Sequence, residues 1–269
     1  MRRSRWLSVA GLSVLAFLYL PVVVLAVFSF NSGRTSASWE SFSTVWYERL
    51  FDPAGSGDRS AAGLSGPFAL SLRVAILASV AAVVLSALTA IGLRGARRAV
   101  TLVLASLWAL PILLPDIVLG LSWNGAFDAL GLEPGFAPIV LAHATLGAAF
   151  ALVVVRARLS SLDPSLIEAA RDLGAGPVRA VTSVVLPHLR PALLAAFLLS
   201  FTLSFDDFMV TLFLSSPTQQ TLPLKVYGLV RHGASPAINA LATLSLVGTI
   251  VVAFVALRIA RPTARGRTA

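Results

Sequence analysis

Long apolar runs constrain this chain of 269 residues more than any other feature of its sequence. The first run, Trp6 to Phe30, contains no charged residue, and roughly 20 apolar residues in a helix are enough to cross a bilayer. Hydrophobic residues make up 57% of the chain and charged residues only 12%, whereas soluble proteins carry about 25% charged residues. Such a composition cannot cover a surface that faces water. The runs therefore predict an all-α integral membrane protein.

Six runs have the length and composition of transmembrane helices. We predict a first span at residues 6–30, an external loop at 31–67, a five-span core at 68–258 and a cytoplasmic tail at 259–269. The core includes a cytoplasmic loop at 156–190, and the Gly- and Ser-rich 52–66 part of the external loop is expected to be flexible. The six runs are Trp6–Phe30, Val74–Leu93, Ala99–Ser122, Phe136–Val155, Pro191–Leu214 and Pro236–Leu257.

The basic residues predict the orientation, because cytoplasmic loops carry an excess of Lys and Arg. An even number of spans places both termini on one side, and most of the 21 basic residues fall on that side. Both termini and the 156–190 loop are therefore expected in the cytoplasm. The basic residues are spread over four sites beside the membrane, which argues for a lipid partner and against nucleic acid. The chain has no cysteine, so disulfides and thiolate metal sites are excluded.

The polar stretch between the fourth and fifth runs contains the start and stop signals of two short helices. Asp163 followed by Pro164 is a typical helix start, Gly174 suits a C-terminal cap, and Pro177 can begin the second helix. The first helix would carry its apolar residues on one face. From the periodicity alone, this face could rest on lipid headgroups or dock onto a cytoplasmic partner. The face consists of Leu166, Ala170 and Leu173.

The same stretch resembles the "EAA" loop of ATP-binding cassette (ABC) importer permeases. Glu168-Ala169-Ala170, then Gly174 and Leu186-Pro187, have the spacing of that loop, with Val184 where the family more often has Ile. In that family the loop is a coupling helix, which docks in a groove of the ATP-binding subunit. The resemblance implies these coupling residues: Glu168, Ala169, Ala170, Asp172, Gly174, Leu186 and Pro187.

Longer segments are similar to the second permease subunit of spermidine/putrescine importers, among them "YLPVVVLAVFSFN", "SFTLSFDDF" and "TLPLKVYGLVRHGASPAINALATL". This similarity implies a bacterial inner-membrane protein that works with a second, different permease subunit, two copies of an ATP-binding subunit and an external solute-binding protein. Relatives of this subunit serve other solutes, so aminoethylphosphonate, thiamine and ferric ion stay open as alternatives. A secondary transporter driven by an ion gradient is a further alternative, although it leaves the EAA loop unexplained.

The chain itself has no ATP-binding motif. Its one lysine, Lys225, follows Pro-Leu instead of a glycine-rich loop, so no P-loop is present. We therefore expect no enzymatic activity and no cofactor on this chain, with ATP and Mg²⁺ bound by the partner ATPase. The three histidines show no metal-ligand spacing, so no metal site is predicted.

Two adjacent acids inside the fifth run, Asp206 and Asp207, need a physical reason. Each costs roughly 2.5–3.5 kcal/mol to insert near the centre of a membrane helix. They could line the solute pathway and attract a cation. Alternatively, they could form interhelical hydrogen bonds, or they could mark a local break or bend near the outer end of the span. Asp116, beside Pro115 in the third run, is interpreted as part of a bend. His143 is expected to form a helix–helix hydrogen bond, and backbone bonding within their own helix is expected for Ser200, Thr202 and Ser204.

Overall fold

A computed structural model describes residues 5–33, 35, 38–51, 64–231 and 236–260. The regular elements in these ranges are helices, accompanied by two isolated β-bridges. This confirms the all-α prediction. A short 3₁₀ turn, Leu93–Gly95, follows α3, and a π-helical turn, Val181–Val185, joins α8 to α9. The helices are α1 (Arg5–Phe28), α2 (Val45–Phe51), α3 (Ser65–Gly92), α4 (Arg98–Leu113), α5 (Asp116–Ala129), α6 (Phe136–Leu159), α7 (Pro164–Asp172), α8 (Pro177–Ala180), α9 (Leu186–Phe205), α10 (Met209–Leu214), α11 (Leu222–Arg231) and α12 (Pro236–Ala260).

Four helical segments in the described residues are long and apolar enough to cross a membrane: Ser8–Phe28, Ser65–Gly95, Phe136–Leu159 and Pro177–Phe205. The pair α4 and α5 adds a fifth if it is counted as one span, with a bend of 110° between the two helices. The described apolar part of α12 is shorter, Pro236–Val251. Six spans therefore stay a prediction. The 52–63 part of the predicted flexible loop and the 261–269 part of the predicted tail lie outside the described residues.

The helix boundaries follow the predictions at some ends and extend beyond them at others. α6 and α12 begin at Phe136 and Pro236, as the sequence predicts. In contrast, α3 begins at Ser65, well before Val74, because Pro67 sits in the first turn, where its missing N–H costs no hydrogen bond. α6 also continues to Leu159, past the predicted end of the fourth span.

The second short helix predicted in the 156–190 loop is wrong as a separate element. α8 continues through the π-helical turn into α9, so Pro187 and Pro191 lie within a continuous helical segment. Proline has no N–H to donate to the carbonyl one turn back. The turn before Pro187 adapts by π-type bonding, in which the Leu186 N–H donates to the Val181 carbonyl, five residues earlier. The prolines therefore alter the helical hydrogen bonding without ending the helix.

The described residues group into two compact units, drawn from 1–66 with 225–254 and from 67–224 with 255–269. In the first unit, the segment after α1 folds around the fully buried Asn31. The Asn31 Nδ2 donates to the Ser38 carbonyl at 2.7 Å, and its Oδ1 accepts from the Glu40 N–H at 2.9 Å. The Trp46 Nε1 donates to the Asn31 carbonyl at 2.8 Å. Trp46 is therefore a buried core residue.

The second unit is built around α6. The buried share of its apolar segment is 61%, against 28% for the segment of α8 and α9. Close packing is possible because α6 presents Gly147 where α3 and α9 meet it, and an added Cβ there would lie 3.2 Å from the Ala82 Cβ and 3.1 Å from the Ser200 Cβ. The Ser200 hydroxyl donates to the Gly147 carbonyl at 3.1 Å. Ser200 thus bonds across helices, and its predicted bonding within α9 is wrong.

We predict that Gly147→Ala lowers the thermal unfolding midpoint of the detergent-purified protein, because its Cβ lies closer to the Ala82 and Ser200 side chains than ordinary van der Waals contact. Overpacking of this kind costs about 1–3 kcal/mol. Gly125→Ala is the matched control, since a Cβ on that α5 glycine meets nothing within 4 Å. The control should be neutral or stabilising by about 0.5–1 kcal/mol. Equal midpoints for the two variants would contradict the tight crossing.

Candidate functional site

The helical path of the fifth run is broken between α9 and α10, at Asp206–Phe208. The Asp206 N–H still donates to the Thr202 carbonyl and completes α9. The Asp207 carboxylate instead accepts from the N–H groups that begin α10, at 2.8 Å from Thr211 and 3.4 Å from Val210. Asp207 therefore satisfies backbone donors that the break exposes, as a helix-capping carboxylate does. The break that the sequence left open as one interpretation is present.

A buried polar network fixes this break to α6. The Nε2 of His143, a residue only 3% exposed, lies 3.1 Å from the Asp207 Oδ2, and its Nδ1 lies 2.8 Å from the Ser204 Oγ. The Thr211 hydroxyl donates to the same Asp207 oxygen at 2.9 Å. Because a carboxylate only accepts, the ring hydrogen belongs on Nε2, and in the neutral ring Nδ1 then accepts from Ser204. The network ties α6, α9 and α10 together.

These contacts decide three of the sequence predictions. The helix–helix hydrogen bond of His143 is confirmed. The Thr202 hydroxyl donates to the Leu198 carbonyl within its own helix at 2.9 Å, also as predicted. Ser204 was expected to do the same and instead bonds to His143. The sequence offered no sign of this difference, because which serine faces α6 depends on how the helices pack.

An acidic cavity of about 520 Å³ lies beside the break. We call it the acidic cavity. Its carboxylates belong to Asp116, Asp206 and Asp207, and none of its lining residues is basic. Asp206 is exposed, and the side-chain carboxylates of Asp206 and Asp116 have no hydrogen-bonding or ion-pair partner among the described residues. Unlike Asp207, these two carboxylates are free to interact with a bound cation. The other lining residues are Pro111, Ile112, Leu114, Leu146, Phe150, Thr202, Leu203, Phe208 and Met209.

Asp116 reaches the cavity because of the bend between α4 and α5. Pro115 precedes it and cannot continue α4, and Asp116 is the first residue of α5. The predicted bend is confirmed, with an angle of 110°. The convergence of Asp116 with Asp206 in one cavity was not predicted. A usable signal was present, since each is a polar residue at an interruption of an apolar run.

The second candidate site is the 164–180 segment, which follows α6. α7 begins as predicted, with the Asp163 Oδ1 accepting the Ser165 N–H at 2.9 Å and Pro164 in the first turn. The hydrogen bonds from the Ser165 backbone and side chain hold the pKa of the Asp163 carboxyl below its usual value. A lowered pKa means that the cap is stabilising while the carboxyl is ionised and weakens only as the pH falls through that pKa. At neutral pH the cap is therefore charged.

Gly174 ends α7, which confirms the predicted cap. Its φ of 81° lies in the left-handed region, which L-residues other than glycine rarely adopt. The Gly174 N–H donates to the Arg171 carbonyl at 2.8 Å, and the Ala175 N–H donates to the Ala170 carbonyl at 3.0 Å. This pair of bonds is a Schellman motif. A Cβ at Gly174 would meet nothing within 4 Å, so the surrounding space is open.

One side of α7 packs against the core, and the other side is exposed. Ile167 packs against a core that includes Val155 and Leu159 of α6 and Leu189 of α9. In contrast, Leu166 is 52% exposed and Leu173 is 89% exposed. Leu166 and Leu173 of the predicted apolar face are therefore largely unpacked within the described residues.

The predicted coupling residues occupy two different elements. Glu168, Ala169, Ala170 and Asp172 lie on α7, with Gly174 as its cap, whereas Leu186 and Pro187 begin α9. The two parts are connected indirectly, because α7 contacts the π-helical turn that precedes Leu186. A cavity of about 390 Å³ separates α7 from the end of α3, and Glu168 lines it together with the basic residues Arg94 and Arg171.

Comparison with known proteins identifies the family. Residues 82–263 match the family of binding-protein-dependent transport system inner membrane components. The chain is 35% identical to the spermidine/putrescine transport system permease protein PotC of Escherichia coli K12, over 95% of this chain and 94% of that protein. It is 39% identical to the E. coli putrescine transport system permease protein PotI, over 94% of this chain and 90% of that protein. The chain belongs to this family.

Solved structures share the fold of this family member. A bacterial ABC transporter involved in the import of the acidic polysaccharide alginate has a chain that superposes with a TM-score of 0.71 at 18% identity, covering 96% of this chain and 98% of that chain. An amino acid ABC transporter gives a TM-score of 0.58 at 22% identity, covering 81% of this chain and 95% of that chain.

Family membership establishes the role of the chain. It is an inner-membrane permease subunit of an ABC importer, and ATP hydrolysis belongs to a separate subunit. The ABC importer assignment replaces the alternative of a secondary transporter driven by an ion gradient. The matched region, residues 82–263, includes both the acidic cavity and the 164–180 segment of this permease. Within the described residues, no group of three His, Cys, Asp or Glu side chains is placed to hold a metal ion.

We predict that His143→Ala lowers the thermal unfolding midpoint of the permease, because it leaves the buried Asp207 carboxylate and the Ser204 hydroxyl without their ring partner. Leaving buried polar groups unpaired costs about 1–3 kcal/mol. A double-mutant cycle of His143→Ala with Asp207→Ala should show an interaction of about 0.5–3 kcal/mol.

The control for this cycle is His188→Ala combined with Asp207→Ala. His188 contacts Ser161 at 3.3 Å, and Asp207 contacts His143 instead. Its effect should add to that of Asp207→Ala. An additive result for His143 as well would show that the network does not couple the two residues.

Proposed function

We propose that this permease imports polyamines, and that the acidic cavity is the place where the cationic solute crosses it. The observation that carries the proposal is the cavity of about 520 Å³ with three carboxylates and no basic lining residue. Ammonium groups are attracted to such a site by Coulomb interaction with the carboxylates. The names of PotC and PotI, which cover spermidine and putrescine transport, support the same solute class.

The two adjacent acids then have different tasks. Asp206 contacts the solute, because its carboxylate faces the cavity with no protein partner in the described residues. Asp207 keeps the break in shape, since its oxygens are occupied by His143, Thr211 and Val210. Asp116 adds a second free carboxylate from α5, which suits a solute with more than one ammonium group.

The proposed topology has six spans with both termini in the cytoplasm. α12 is the sixth span, and the pair α4 and α5 is the bent third span. Support comes from the basic residues beside the membrane, which are most frequent at the termini and around the 164–180 segment. The acidic cavity then lies within the membrane-spanning part of the chain, and α7 lies at the cytoplasmic surface.

The proposed assembly pairs this permease with a second, different permease subunit, two ATP-binding subunits and an external solute-binding protein. One structural relative, an alginate ABC transporter, was solved in complex with an alginate pentasaccharide-bound periplasmic protein, at a TM-score of 0.64 and 17% identity, over 97% of this chain and 94% of that chain. ATP and Mg²⁺ bind to the ATP-binding subunits. The exposed Leu166 and Leu173 of α7 supply the apolar contact to those subunits, with Glu168, Ala169, Ala170 and Gly174 beside them.

The solute is tested by radiolabelled spermidine and putrescine uptake in cells that lack the gene and in cells with the gene restored. Thiamine and aminoethylphosphonate serve as comparison solutes. Polyamine uptake that is lost on deletion and recovered on restoration supports the proposal. Loss of uptake of another solute alone would reassign the substrate and leave the family assignment unchanged.

We expect Asp206→Asn to reduce kcat/KM for spermidine uptake about tenfold, which corresponds to about 1.4 kcal/mol, without changing the thermal unfolding midpoint. Asp207→Asn should reduce both uptake and the unfolding midpoint, because it also disturbs the contact with His143. Asp128→Asn is the matched control, since Asp128 is an exposed acid of α5 that does not line the acidic cavity. Unchanged uptake kinetics in Asp206→Asn would remove Asp206 from the pathway.

The docking role of α7 is tested by Gly174→Trp, with Gly174→Ala as its control. Both side chains must adopt the positive φ, so both variants carry the same backbone cost. Only Trp projects bulk into the open space beside the cap, where the ATP-binding subunit would sit. We expect Gly174→Trp, and likewise Glu168→Lys, to insert normally but to lose ATP hydrolysis stimulated by the binding protein. Coupled hydrolysis equal to that of Gly174→Ala would contradict docking at this end of α7.

A further inference from the structure

A second cavity lies in the same groove between α4 and α6 as the acidic cavity. We call it the Trp108 cavity; its volume is about 320 Å³. α4 lines it with Ala105, Trp108, Ala109 and Ile112, which recur at the spacing of one helical face. Of the residues that line the Trp108 cavity, Ile112 is the one that also lines the acidic cavity. The two cavities therefore meet at Ile112.

The two cavities differ in chemistry. The acidic cavity has three carboxylates, whereas the Trp108 cavity has no acidic lining residue and one basic residue, Arg156, in the last turn of α6. A cation held in the acidic cavity must pass a branched aliphatic side chain and enter a largely apolar space. Apolar constrictions of this kind block ions and water until they widen.

The end of α4 that carries Ile112 has fewer helical hydrogen bonds than a regular helix turn. Pro111 has no N–H, so the Leu107 carbonyl does not receive its usual helical hydrogen bond at this point. Two residues after Ile112 the helix has ended, and the 110° bend to α5 begins. α4 also contributes no buried residue to the core. The turn that contains Ile112 therefore lacks one helical hydrogen bond and has no buried side chain to hold it against α6.

We propose that Ile112 is the constriction that controls passage of the solute from the acidic cavity into the Trp108 cavity. The proposal rests on the proposed function of the acidic cavity, and it adds the residue that closes it. Movement of the last turn of α4 away from α6 widens the connection, and its return closes it. Arg156 at the far end repels a cation and favours its release away from the permease.

The first test replaces Ile112 with Trp in the complete transporter, reconstituted in proteoliposomes with its ATP-binding subunits and solute-binding protein. Leu110→Trp and Leu113→Trp are matched controls, because these leucines flank Ile112 on α4, are exposed and line neither cavity. We expect Ile112→Trp to reduce solute uptake at least about tenfold, with assembly of the complex unchanged. The controls should stay within about twofold of the wild type. Equal uptake by Ile112→Trp and Leu113→Trp would overturn the proposal.

The second test needs no knowledge of the solute. The chain has no native cysteine, so Ile112→Cys and Leu113→Cys each provide a single thiol, which is treated with a cationic methanethiosulfonate reagent and read by the intact mass of this chain. A constriction predicts that Ile112→Cys reacts at rates that differ at least about fivefold between the nucleotide-free and the vanadate-trapped complex. Leu113→Cys should react at the same rate in both states.

The two tests separate failure of this proposal from failure of the proposed function. Wild-type proteoliposomes that take up no polyamine would overturn the solute assignment, and the cysteine experiment would still decide the role of Ile112. Polyamine uptake by the wild type, together with a labelling rate of Ile112→Cys that is the same in both states, would overturn the constriction and leave the polyamine assignment intact.

Discussion

The break between α9 and α10 depends on one carboxylate. A membrane offers no water to backbone groups, so every N–H and C=O that a broken helix releases needs a partner within the protein. Asp207 supplies that partner to Val210 and Thr211, and His143 holds the same carboxylate from α6. Without this arrangement the chain would either continue as a regular helix or leave polar groups unpaired, which is costly in an apolar medium. The acidic cavity lies beside this break, which Asp207 stabilises by accepting the exposed backbone N–H groups.

The neighbouring positions of Asp206 and Asp207 follow from this. Once Asp207 is committed to the cap and to His143, the preceding residue is the last one before the turn, and its side chain projects away from the network into the cavity. One acid can then remain free beside the cavity because the adjacent acid secures the backbone that presents it. The bend between α4 and α5 is similar, because one residue accounts for the break and its neighbour is the acid. Pro115 lies between the two helices, and Asp116 is the first residue of α5. Each carboxylate of the cavity thus lies at a position where an apolar helical segment is interrupted.

Local signals in the sequence were sufficient for much of this structure. The starts of α6, α7 and α12, the Asp163 cap, the Gly174 cap and the bend at Asp116 were all readable, because each depends on one or two residues and on backbone geometry. The predictions failed at two kinds of position: at prolines whose lost hydrogen bond is accommodated locally, and at serines whose partner lies on a distant part of the chain. Pro187 and Pro191 look like helix stops, but π-type bonding before Pro187 absorbs the missing N–H within a continuous segment. Ser200 and Ser204 resemble Thr202 in sequence, yet only the first two face α6, where Gly147 and His143 provide partners. Such partners come from residues more than 50 positions away, which periodicity cannot detect.

The distribution of contacts indicates where this permease can move. α6 and α9 are bonded near the middle through Ser200 and Gly147, at one end through Ser204 and His143, and at the other through the Arg158 side chain, which donates to the His188 carbonyl. Three connections along their length, together with the contact between α6 and α9, hold these two helices against each other. α4 lies against the same α6 without contributing a buried residue, and its last turn is weakened by Pro111. Relative motion costs least where the fewest packed side chains must separate, so it is expected between α4 and α6. Both cavities lie in that groove, which places the movable boundary of the structure along the route proposed for the solute.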